Sequence, residues 1–274
     1  MCLEFASLGD DLMKKKKLGL VLGSGAARGI AHVGVLQALV ENGLEPDCIV
    51  GCSAGAVVGA CYASGMSPQE LFTELMQLEK KDIFDPKLSM KSGVLGTERM
   101  CSKLRSLIGY KRICDLDLPF RFVATDLIKG ELKVFEGRYD TVMAVAASSC
   151  IPVVFEPIVI AGETFVDGGV LRRLPVETIK DMDVDVIVAV DVFCRDNSRE
   201  EYKGLLTVLG RAFELMDQDN TEFKTNLENP DVLIVPNLTG ISQFTFKDFD
   251  EIYYRGYEAG ISHLDEINKL MESE

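Results

Sequence analysis

The sequence predicts an α/β fold, a three-layer α/β/α sandwich with a mostly parallel central sheet. Two observations support this prediction. Short apolar runs that suit buried strands alternate with longer segments that suit helices, and apolar residues make up 47% of the chain. No internal repeat or linker divides the 274 residues. We therefore expect a lead-in at 1–17 and one domain at 18–274, with a core at 18–192 and a helical extension containing one further strand at 193–274.

The first third of the chain shows this alternation most clearly. An apolar run at 18–22 predicts a buried strand, and residues 30–42 follow as a helix that a glycine ends. A second apolar run at 48–50 predicts the next strand, and small, helix-compatible residues occupy 54–63. Residues 67–80 begin with Ser-Pro-Gln-Glu. They predict a further helix, because the serine caps its start, the proline fits its first turn and the glutamate completes a capping box.

The remaining elements continue the pattern and include one hairpin. Residues 120–125 and 131–136 predict two strands joined by a turn at Lys129-Gly130. Residues 82–96 are irregular and contain glycine, which predicts a loop. Further strands are predicted at 164–166, 184–190 and 232–235, and further helices at 97–108, 141–147, 202–228 and 248–271.

Charge and cysteine content argue against several classes of function. The net charge of −14 argues against nucleic acid as a partner, because binding phosphates requires a basic face. The eight cysteines include no C-x-x-C pair and fit neither a zinc site nor a disulfide framework. Cys48, Cys61, Cys150 and Cys194 lie in apolar surroundings, so we interpret them as buried thiols of a protein in a reducing compartment, the cytoplasm. No apolar stretch approaches the length of a membrane span.

Four consecutive lysines, Lys14 to Lys17, precede the first predicted strand and allow two interpretations. One is a contact with anionic lipid, made together with the apolar residues upstream. The other, which we favour, is a solvated basic lead-in to the strand. A signal peptide does not fit, because the apolar run that follows is too short.

The pentapeptide Gly51-Cys52-Ser53-Ala54-Gly55 is a G-x-S-x-G motif between a predicted strand and a predicted helix. A tight turn at this junction holds the Ser53 side chain out at the sheet edge, which makes it a candidate nucleophile. Gly51 and Gly55 suit the turn because it leaves no room for a Cβ atom on either side and lets the helix pack close to the strand. The alternative is that Ser53 only caps the helix.

The loop at 23–29 (Gly-Ser-Gly-Ala-Ala-Arg-Gly) links the first strand to the first helix and predicts an anion site built from backbone N–H groups. A dinucleotide site, as in short-chain dehydrogenases, is one interpretation. However, the sequence has no Tyr-x-x-x-Lys, and Gly51 stands where a Rossmann fold needs an acidic residue. A phosphate-binding P-loop needs a Gly-Lys-Ser/Thr that is missing. An oxyanion site next to Ser53 fits better, since both loops follow neighbouring strands.

A serine nucleophile also needs a base, and the chain offers three candidates. Its two histidines are His32, in the first helix, where packing or a structural hydrogen bond is expected, and His263, near the C-terminus. The third is Asp167, which ends a predicted strand and precedes Gly168-Gly169. Its carboxylate can accept the serine proton directly, although an Asp-Gly pair is also typical of an ordinary turn.

These three loops, in this order, resemble the patatin-like phospholipase family. Two further stretches, Arg28 to Leu36 and Ala147 to Pro152, resemble that family's first helix and the segment before its acid, so the similarity extends over about 18–192. The resemblance implies a Ser–Asp dyad without a catalytic histidine, with Ser53 as nucleophile and Asp167 as base. The oxyanion donors then fall on Gly25, Ala26 and Ala27, and Arg28 helps to hold their loop.

One departure from the family affects the oxyanion site. Many members have three successive glycines where this chain has Ser24-Gly25-Ala26, and alanine narrows the backbone conformations open to the loop. The glycines expected to support the motifs are Gly23, Gly29, Gly51, Gly55, Gly168 and Gly169. His32 becomes a structural residue of the first motif.

The resemblance implies a serine acyl hydrolase, a phospholipase A-like esterase that acts on lipid or other acyl esters through an acyl-enzyme, without metal or cofactor. It also implies transient contact with a membrane surface. The loop at 82–96 is then either a flap over an acyl groove or, as we favour, a surface loop anchored by a few apolar residues. Two alternatives stay open: a non-catalytic regulatory protein on the same fold and, more remotely, a dehydrogenase-like nucleotide-binding protein.

Overall fold

The computed structural model describes residues 15–84, 95–193 and 228–273, together with positions 208, 212, 215, 216 and 221. The strands are β1 (Leu18–Leu22), β2 (Cys48–Cys52), β3 (Phe120–Asp126), β4 (Glu131–Phe135), β5 (Ile158–Ile160), β6 (Glu163–Asp167), β7 (Val186–Val190) and β8 (Val232–Ile234). The helices named here are α1 (Ile30–Glu41), α2 (Ala54–Ala63), α3 (Pro68–Met76), α4 (Lys80–Ile83), α5 (Glu98–Ile108), α6 (Thr141–Ser148) and α7 (Phe249–Glu272).

The described strands form one mixed sheet in the order β5-β6-β3-β2-β1-β7-β8, with β4 also paired to β3. The five neighbouring strands β3, β2, β1, β7 and β8 run parallel, while β4 and β6 are antiparallel to β3 and β5 is antiparallel to β6. The predicted α/β class with a mostly parallel sheet is therefore confirmed. The antiparallel pair β3–β4 is the predicted hairpin, whereas the antiparallel pairings of β6 with β3 and of β5 with β6 were not predicted.

The central strands are buried on both faces, which explains their uninterrupted apolar sequences. In β1, Leu18, Leu20 and Leu22 face the core that holds α1, α2 and α7, and Val21 faces the opposite side. On that opposite side, the described covering is a 3₁₀ turn at Val176–Ile179 rather than an α-helix. Among the described helices, none combines the length and apolar character needed to cross a bilayer.

One predicted helix and one strand differ from the structure, and two predicted segments cannot be compared with it in full. The helix at 67–80 ends at Met76, because Glu79 and Asp82 form a capping box that starts a separate helix, α4, at Lys80. Strand β5 was not predicted, since three residues give too short a pattern and its pairing with β6 defines it. Most of the predicted helix at 202–228 lies outside the described residues, and so do residues 85–94 of the loop predicted at 82–96.

Helices α1 and α7 approach each other so closely that glycines must form the contact. A Cβ atom on Gly34 of α1 would lie 2.1 Å from the carbonyl oxygen of Tyr253. A Cβ atom on Gly256 of α7 would lie 2.1 Å from the carbonyl oxygen of Ala31. Both distances are far below van der Waals contact, and both partners are backbone atoms that cannot rotate away. The C-terminal helix therefore docks on the helix that follows the glycine-rich loop.

His32 links that loop to α1. Its imidazole is fully buried, and Nε2 donates a hydrogen bond to the carbonyl oxygen of Gly23 at 2.7 Å. Burial lowers the pKa of His32 to about 4, because the charged form would lose its hydration. The imidazole is thus a neutral structural donor, as expected for a residue of the motif, and it fixes the position where β1 ends.

We predict that Gly256→Ala lowers the free energy of unfolding by about 3 kcal/mol, because the added methyl group forces the two helices apart. Chemical denaturation of the folded variant measures this change. Ser262→Ala, on the exposed side of α7, is the control and should change the free energy by less than about 0.5 kcal/mol. Equal stability of the Gly256→Ala and wild-type proteins would contradict the close packing.

We also predict a pH dependence of stability that His32 causes. Because its pKa falls from 6.5 in the unfolded chain to about 4 in the folded protein, the unfolded state binds the proton first as the pH decreases. The contribution of the neutral His32 to the free energy of unfolding is complete above pH 6.5 and is lost as the pH falls towards 4. Between pH 7.5 and pH 5, this loss lowers the free energy of unfolding by about 2 kcal/mol. The free energy of unfolding, measured by chemical denaturation at each pH, should not show this decrease in His32→Gln and should still show it in His263→Gln. The same pH dependence in the wild type and in His32→Gln would refute the assignment to His32.

Candidate active site

Ser53 occupies a strained turn between β2 and α2. Its backbone has φ 51° and ψ −119°, a conformation that residues other than glycine rarely adopt. A Cβ atom on Gly51 would lie 2.6 Å from the Cα atom of Ala56, and one on Gly55 would lie 2.1 Å from the carbonyl oxygen of Leu22. Both positions therefore exclude a side chain, as the sequence predicts. The Ser53 hydroxyl makes no capping bond to α2, so capping does not explain the residue.

Asp167 reaches Ser53 because two strands meet end to end on one edge of β3. Phe122 and Val123 pair with both β2 and β4, whereas Thr125 and Asp126 pair with both β6 and β4. Since a strand has two edges, β2 and β6 must follow one another along the same edge. Strand β2 ends at Cys52, opposite Val123, and the antiparallel β6 ends at Asp167, opposite Ala124. Their carboxyl ends thus point at each other.

The Ser53 hydroxyl donates a hydrogen bond from Oγ to Asp167 Oδ2 at 2.6 Å. The other carboxylate oxygen, Oδ1, accepts a bond from the backbone N–H of Gly169 at 2.7 Å. Ser53 is 3% exposed and Asp167 is 5% exposed. The Asp-Gly-Gly segment is thus both a turn and a support for the carboxylate, which it holds with one oxygen directed at the serine. A serine hydroxyl that donates directly to a buried carboxylate is an arrangement that allows the carboxylate to accept the serine proton.

Ser148, at the end of α6, stabilises the Ser53 turn through two hydrogen bonds. Its hydroxyl accepts a hydrogen bond from the backbone N–H of Ser53 at 2.9 Å and donates one to the carbonyl oxygen of Val123 at 2.7 Å. Ser148 is fully buried. The sequence places Ser148 in the stretch 147–152 that resembles the family, but it does not indicate which group the hydroxyl binds.

The glycine-rich loop lies beside the turn, because a Cβ atom on Gly29 would lie 2.3 Å from the Cβ atom of Ala54. Within the described part of the chain, the backbone N–H groups of Gly25 and Ala26 donate to no protein group. Ala26 has a positive φ of 47°, which is the conformational cost of an alanine at this position. These two amides are the candidate oxyanion donors.

Ala27 and Arg28 contact a segment near the C-terminus. The Ala27 amide donates a hydrogen bond to the carbonyl oxygen of Gln243 at 3.0 Å, so in this structure it is occupied, unlike the amides of Gly25 and Ala26. The buried Arg28 side chain donates to the carbonyl oxygen of Ile241 from Nε at 2.8 Å and from Nη2 at 2.5 Å. Arg28 therefore holds the loop, as expected, and it does so through residues that the sequence did not connect with it.

The other predicted glycines are placed around the same site. Gly23 donates its N–H to the carbonyl oxygen of Val190 at 3.0 Å and so continues the sheet. A Cβ atom on Gly168 would lie 2.4 Å from the carbonyl oxygen of Val123. A Cβ atom on Gly169 would lie 3.0 Å from Asp167 Oδ1. Because these glycines have no side chains, β3, the glycine-rich loop and Asp167 can lie close together.

Neither histidine acts on the serine in this structure. His32 is bonded to Gly23, and His263, on α7, is bonded to the carbonyl oxygen of Ala259 at 2.8 Å. Among the described residues, no group of three or more histidine, cysteine, aspartate or glutamate side chains could hold a metal ion.

Cys48, Cys61 and Cys150 are buried, as the sequence predicts. Burial raises the pKa of Cys48 and of Cys61 to about 12. Cys194 lies outside the described residues.

A cavity of about 390 Å³ opens at Ser53, which forms part of its wall. Glu74 and Lys103, paired at 2.9 Å, and Lys80 also line it. Most of the lining is apolar and includes Val57, Leu75, Leu104, Ile151, Phe155 and Phe246. A second cavity of about 380 Å³ is lined by Arg121 and Arg172 with acidic residues and contains none of the predicted site residues. The apolar cavity is therefore the one associated with the candidate nucleophile.

Comparisons with known proteins find a matching family model and similar sequences and folds. The family model described as patatin-like phospholipase matches residues 20–179. An uncharacterised NTE family protein of Mycobacterium bovis is 37% identical over 64% of this chain and 49% of its own length. The lysophospholipase nte1 of Aspergillus fumigatus is 28% identical over 92% of this chain and 18% of its own length. This chain thus spans half or less of the length of these two relatives.

The fold is also found in a solved structure of human GIVD cytosolic phospholipase A2, which was determined with a fluorophosphonate inhibitor. The two chains superpose with a TM-score of 0.54 at 12% sequence identity, over 94% of this chain and 59% of the human one. At this identity the likeness concerns the fold alone. The family model, in contrast, matches more than half of the chain and includes the glycine-rich loop, Ser53 and Asp167. The chain therefore belongs to the patatin-like phospholipase family.

Proposed function

We propose that the protein is a serine acyl hydrolase that cleaves acyl esters of lipids through an acyl-enzyme intermediate. The observation that supports this most directly is the 2.6 Å hydrogen bond from Ser53 Oγ to Asp167 Oδ2 in the wall of an apolar cavity. Ser53 is the nucleophile and Asp167 is the base. Because Asp167 is nearly inaccessible to solvent, little water competes for the serine proton.

In the first step, Asp167 accepts the proton of Ser53 while Oγ attacks the ester carbonyl carbon. The negative charge that develops on the carbonyl oxygen is stabilised by the N–H groups of Gly25 and Ala26, which have no protein partner among the described residues. When the tetrahedral intermediate collapses, the carbon–oxygen bond to the alcohol breaks and Asp167 returns the proton to the departing oxygen. The products are the free alcohol and an acyl group on Ser53.

In the second step, Asp167 takes a proton from a water molecule, which attacks the acyl group. The same two amides stabilise the second oxyanion, and the proton returns to Ser53 as the fatty acid leaves. The bond from Gly169 N–H to Asp167 Oδ1 keeps the carboxylate oriented in both steps. A histidine is not required, because the carboxylate contacts the serine directly.

The cavity supports a substrate with a long apolar acyl group. Its volume of about 390 Å³ is at the small end of the range for ligand sites, and apolar side chains form most of its wall. The name of the fungal relative, a lysophospholipase, supports a lipid ester as substrate. A lipid substrate also requires a transient contact between the protein and a membrane surface, and Phe244, which lines the cavity and is 53% exposed, lies where the cavity meets solvent. The buried cysteines Cys48, Cys61 and Cys150, which are thiols rather than disulfides in the described part of the chain, support a cytoplasmic location.

We predict that Ser53→Ala and Asp167→Asn each lower the hydrolysis of p-nitrophenyl esters by about 10³-fold or more, because each removes a partner that the chemical step requires. Turnover should increase with acyl length in the wild type, because longer chains fill more of the cavity. The controls are Ser106→Ala and Asp250→Asn, two exposed positions that should retain wild-type turnover.

A fluorophosphonate provides a second measurement that does not depend on turnover. The wild type should gain one phosphonyl group at Ser53, detected by peptide mass spectrometry, and Ser53→Ala should gain none there. A folded wild type that neither hydrolyses any ester nor reacts with the probe would favour a regulatory protein on this fold. Full activity in Ser53→Ala would exclude the proposed nucleophile.

A further inference from the structure

Lys80 is a charged residue in the wall of the cavity that opens at Ser53. Among the described residues, the charged side chains that line this cavity are Glu74, Lys80 and Lys103. Glu74 and Lys103 neutralise each other through an ion pair of 2.9 Å. Lys80, in contrast, forms no ion pair with a described residue. Its charge is therefore the one in the described part of the cavity wall that no carboxylate balances.

The surroundings of Lys80 hold its ammonium group at the opening of the cavity. Its Nζ atom lies 5.6 Å from the centre of the Phe246 ring, which lines the same cavity. An aromatic face attracts a cation but adds no opposite charge. Lys80 is exposed, and so is Phe244 in the same wall, so the cavity meets solvent here. An anion that enters from solvent can thus reach the ammonium group.

The charges next to Lys80 leave a positive balance on a chain that is negative as a whole. Lys81 is paired with Glu79 at 2.8 Å. The Asp82 carboxylate accepts a hydrogen bond from the Glu79 amide, and Arg99 of α5 donates one to the Lys81 carbonyl oxygen. Three cations and two carboxylates therefore lie at this edge of the cavity, whereas the whole chain has a net charge of −14. A local positive balance favours a ligand with a net negative charge.

The proposed mechanism, on which this inference rests, indicates which part of the substrate carries that charge. The acyl chain is a hydrocarbon and fits the apolar wall, and the ester carbonyl oxygen is assigned to the amides of Gly25 and Ala26. What remains is the alcohol part of the ester. In glycerolipids this part carries the headgroup, and a headgroup phosphate accepts charge-assisted hydrogen bonds from an ammonium group.

We propose that Lys80 is an anion-binding subsite of the active site, and that it selects lipids with a net negative headgroup over lipids whose headgroup phosphate is neutralised by a cation of its own. In a phosphatidic acid, the phosphate is free to pair with Lys80. In a phosphatidylcholine, the choline ammonium group already balances the phosphate and is repelled by the cations around Lys80. Lys80 is a specificity-determining residue and takes no part in the proton transfers of the dyad.

The test compares dihexanoyl phosphatidic acid with dihexanoyl phosphatidylcholine, below their critical micelle concentrations. The acyl chains and the ester bonds are the same, so the two lipids differ only in headgroup charge. We expect wild-type kcat/KM to be about fivefold higher for the phosphatidic acid, the effect of one exposed ion pair. Lys80→Gln should lower this ratio to about one, and Lys80→Arg should keep it because the charge is retained.

Lys81→Gln is the matched control, and ionic strength is the second variable. Lys81 is the next residue in the chain, but it is paired with Glu79 and does not line the cavity, so most of the preference should survive its replacement. Raising the ionic strength from about 0.05 M to about 0.5 M should reduce the preference of the wild type, since salt screens exposed charges. The ratio of Lys80→Gln should not respond to salt.

Three results would overturn the proposal. They are a wild type that does not prefer the phosphatidic acid, a preference that Lys80→Gln retains, and a preference that Lys81→Gln loses as completely as Lys80→Gln. The last result would mean that the general surface charge, rather than a subsite in the cavity, attracts the lipid. The Tm of Lys80→Gln should equal that of the wild type, because the replaced side chain is exposed.

Failure of the inference and failure of the proposed function give different results. If only the inference is wrong, the wild type hydrolyses both lipids in a ratio that does not depend on Lys80, and Ser53→Ala hydrolyses neither. If the proposed function is wrong, the wild type hydrolyses no ester or Ser53→Ala retains the activity, and the assignment of Lys80 is then refuted with it.

Discussion

The contact between Ser53 and Asp167 depends on a sheet that is mixed rather than purely parallel. In a parallel sheet the carboxyl ends of neighbouring strands lie side by side, about 4.8 Å apart, and their loops continue outward together. Here β2 and the antiparallel β6 share one edge of β3, so that their carboxyl ends face each other along that edge. Residues 114 positions apart in sequence then come within hydrogen-bond distance. The extra length of β3 beyond β2 is what makes room for β6.

Several buried polar groups keep this contact in place through hydrogen bonds within the protein. The Ser53 amide, the Ser148 hydroxyl and the Val123 carbonyl form one chain of hydrogen bonds beneath the strained turn. On the other side, the Gly169 amide fixes the carboxylate. Among the described residues, the backbone N–H groups of Gly25 and Ala26 donate to no protein group. They are the amides that we propose as oxyanion donors.

The C-terminal region is joined to the site more closely than its sequence indicates. The carbonyl oxygens of Ile241 and Gln243 bind Arg28 and Ala27 of the glycine-rich loop. Helix α7 packs on α1 through Gly34 and Gly256, so backbone contacts connect both ends of the described chain. The geometry of the glycine-rich loop, including the proposed oxyanion donors, therefore depends on residues more than 200 positions away.

The sequence by itself determined the alternation of strands and helices, the turn at Ser53 and the need for Gly51 and Gly55. These features follow from local patterns, because apolar periodicity and the absence of a Cβ atom act over a few residues. It narrowed the base to three candidates and, by resemblance, to Asp167. Only the tertiary structure showed that β6 runs against β3, that the Ala27 amide is occupied, and that the Ser148 hydroxyl binds the Ser53 turn. Strand direction and hydrogen-bond partners depend on distant segments, which a local pattern does not contain.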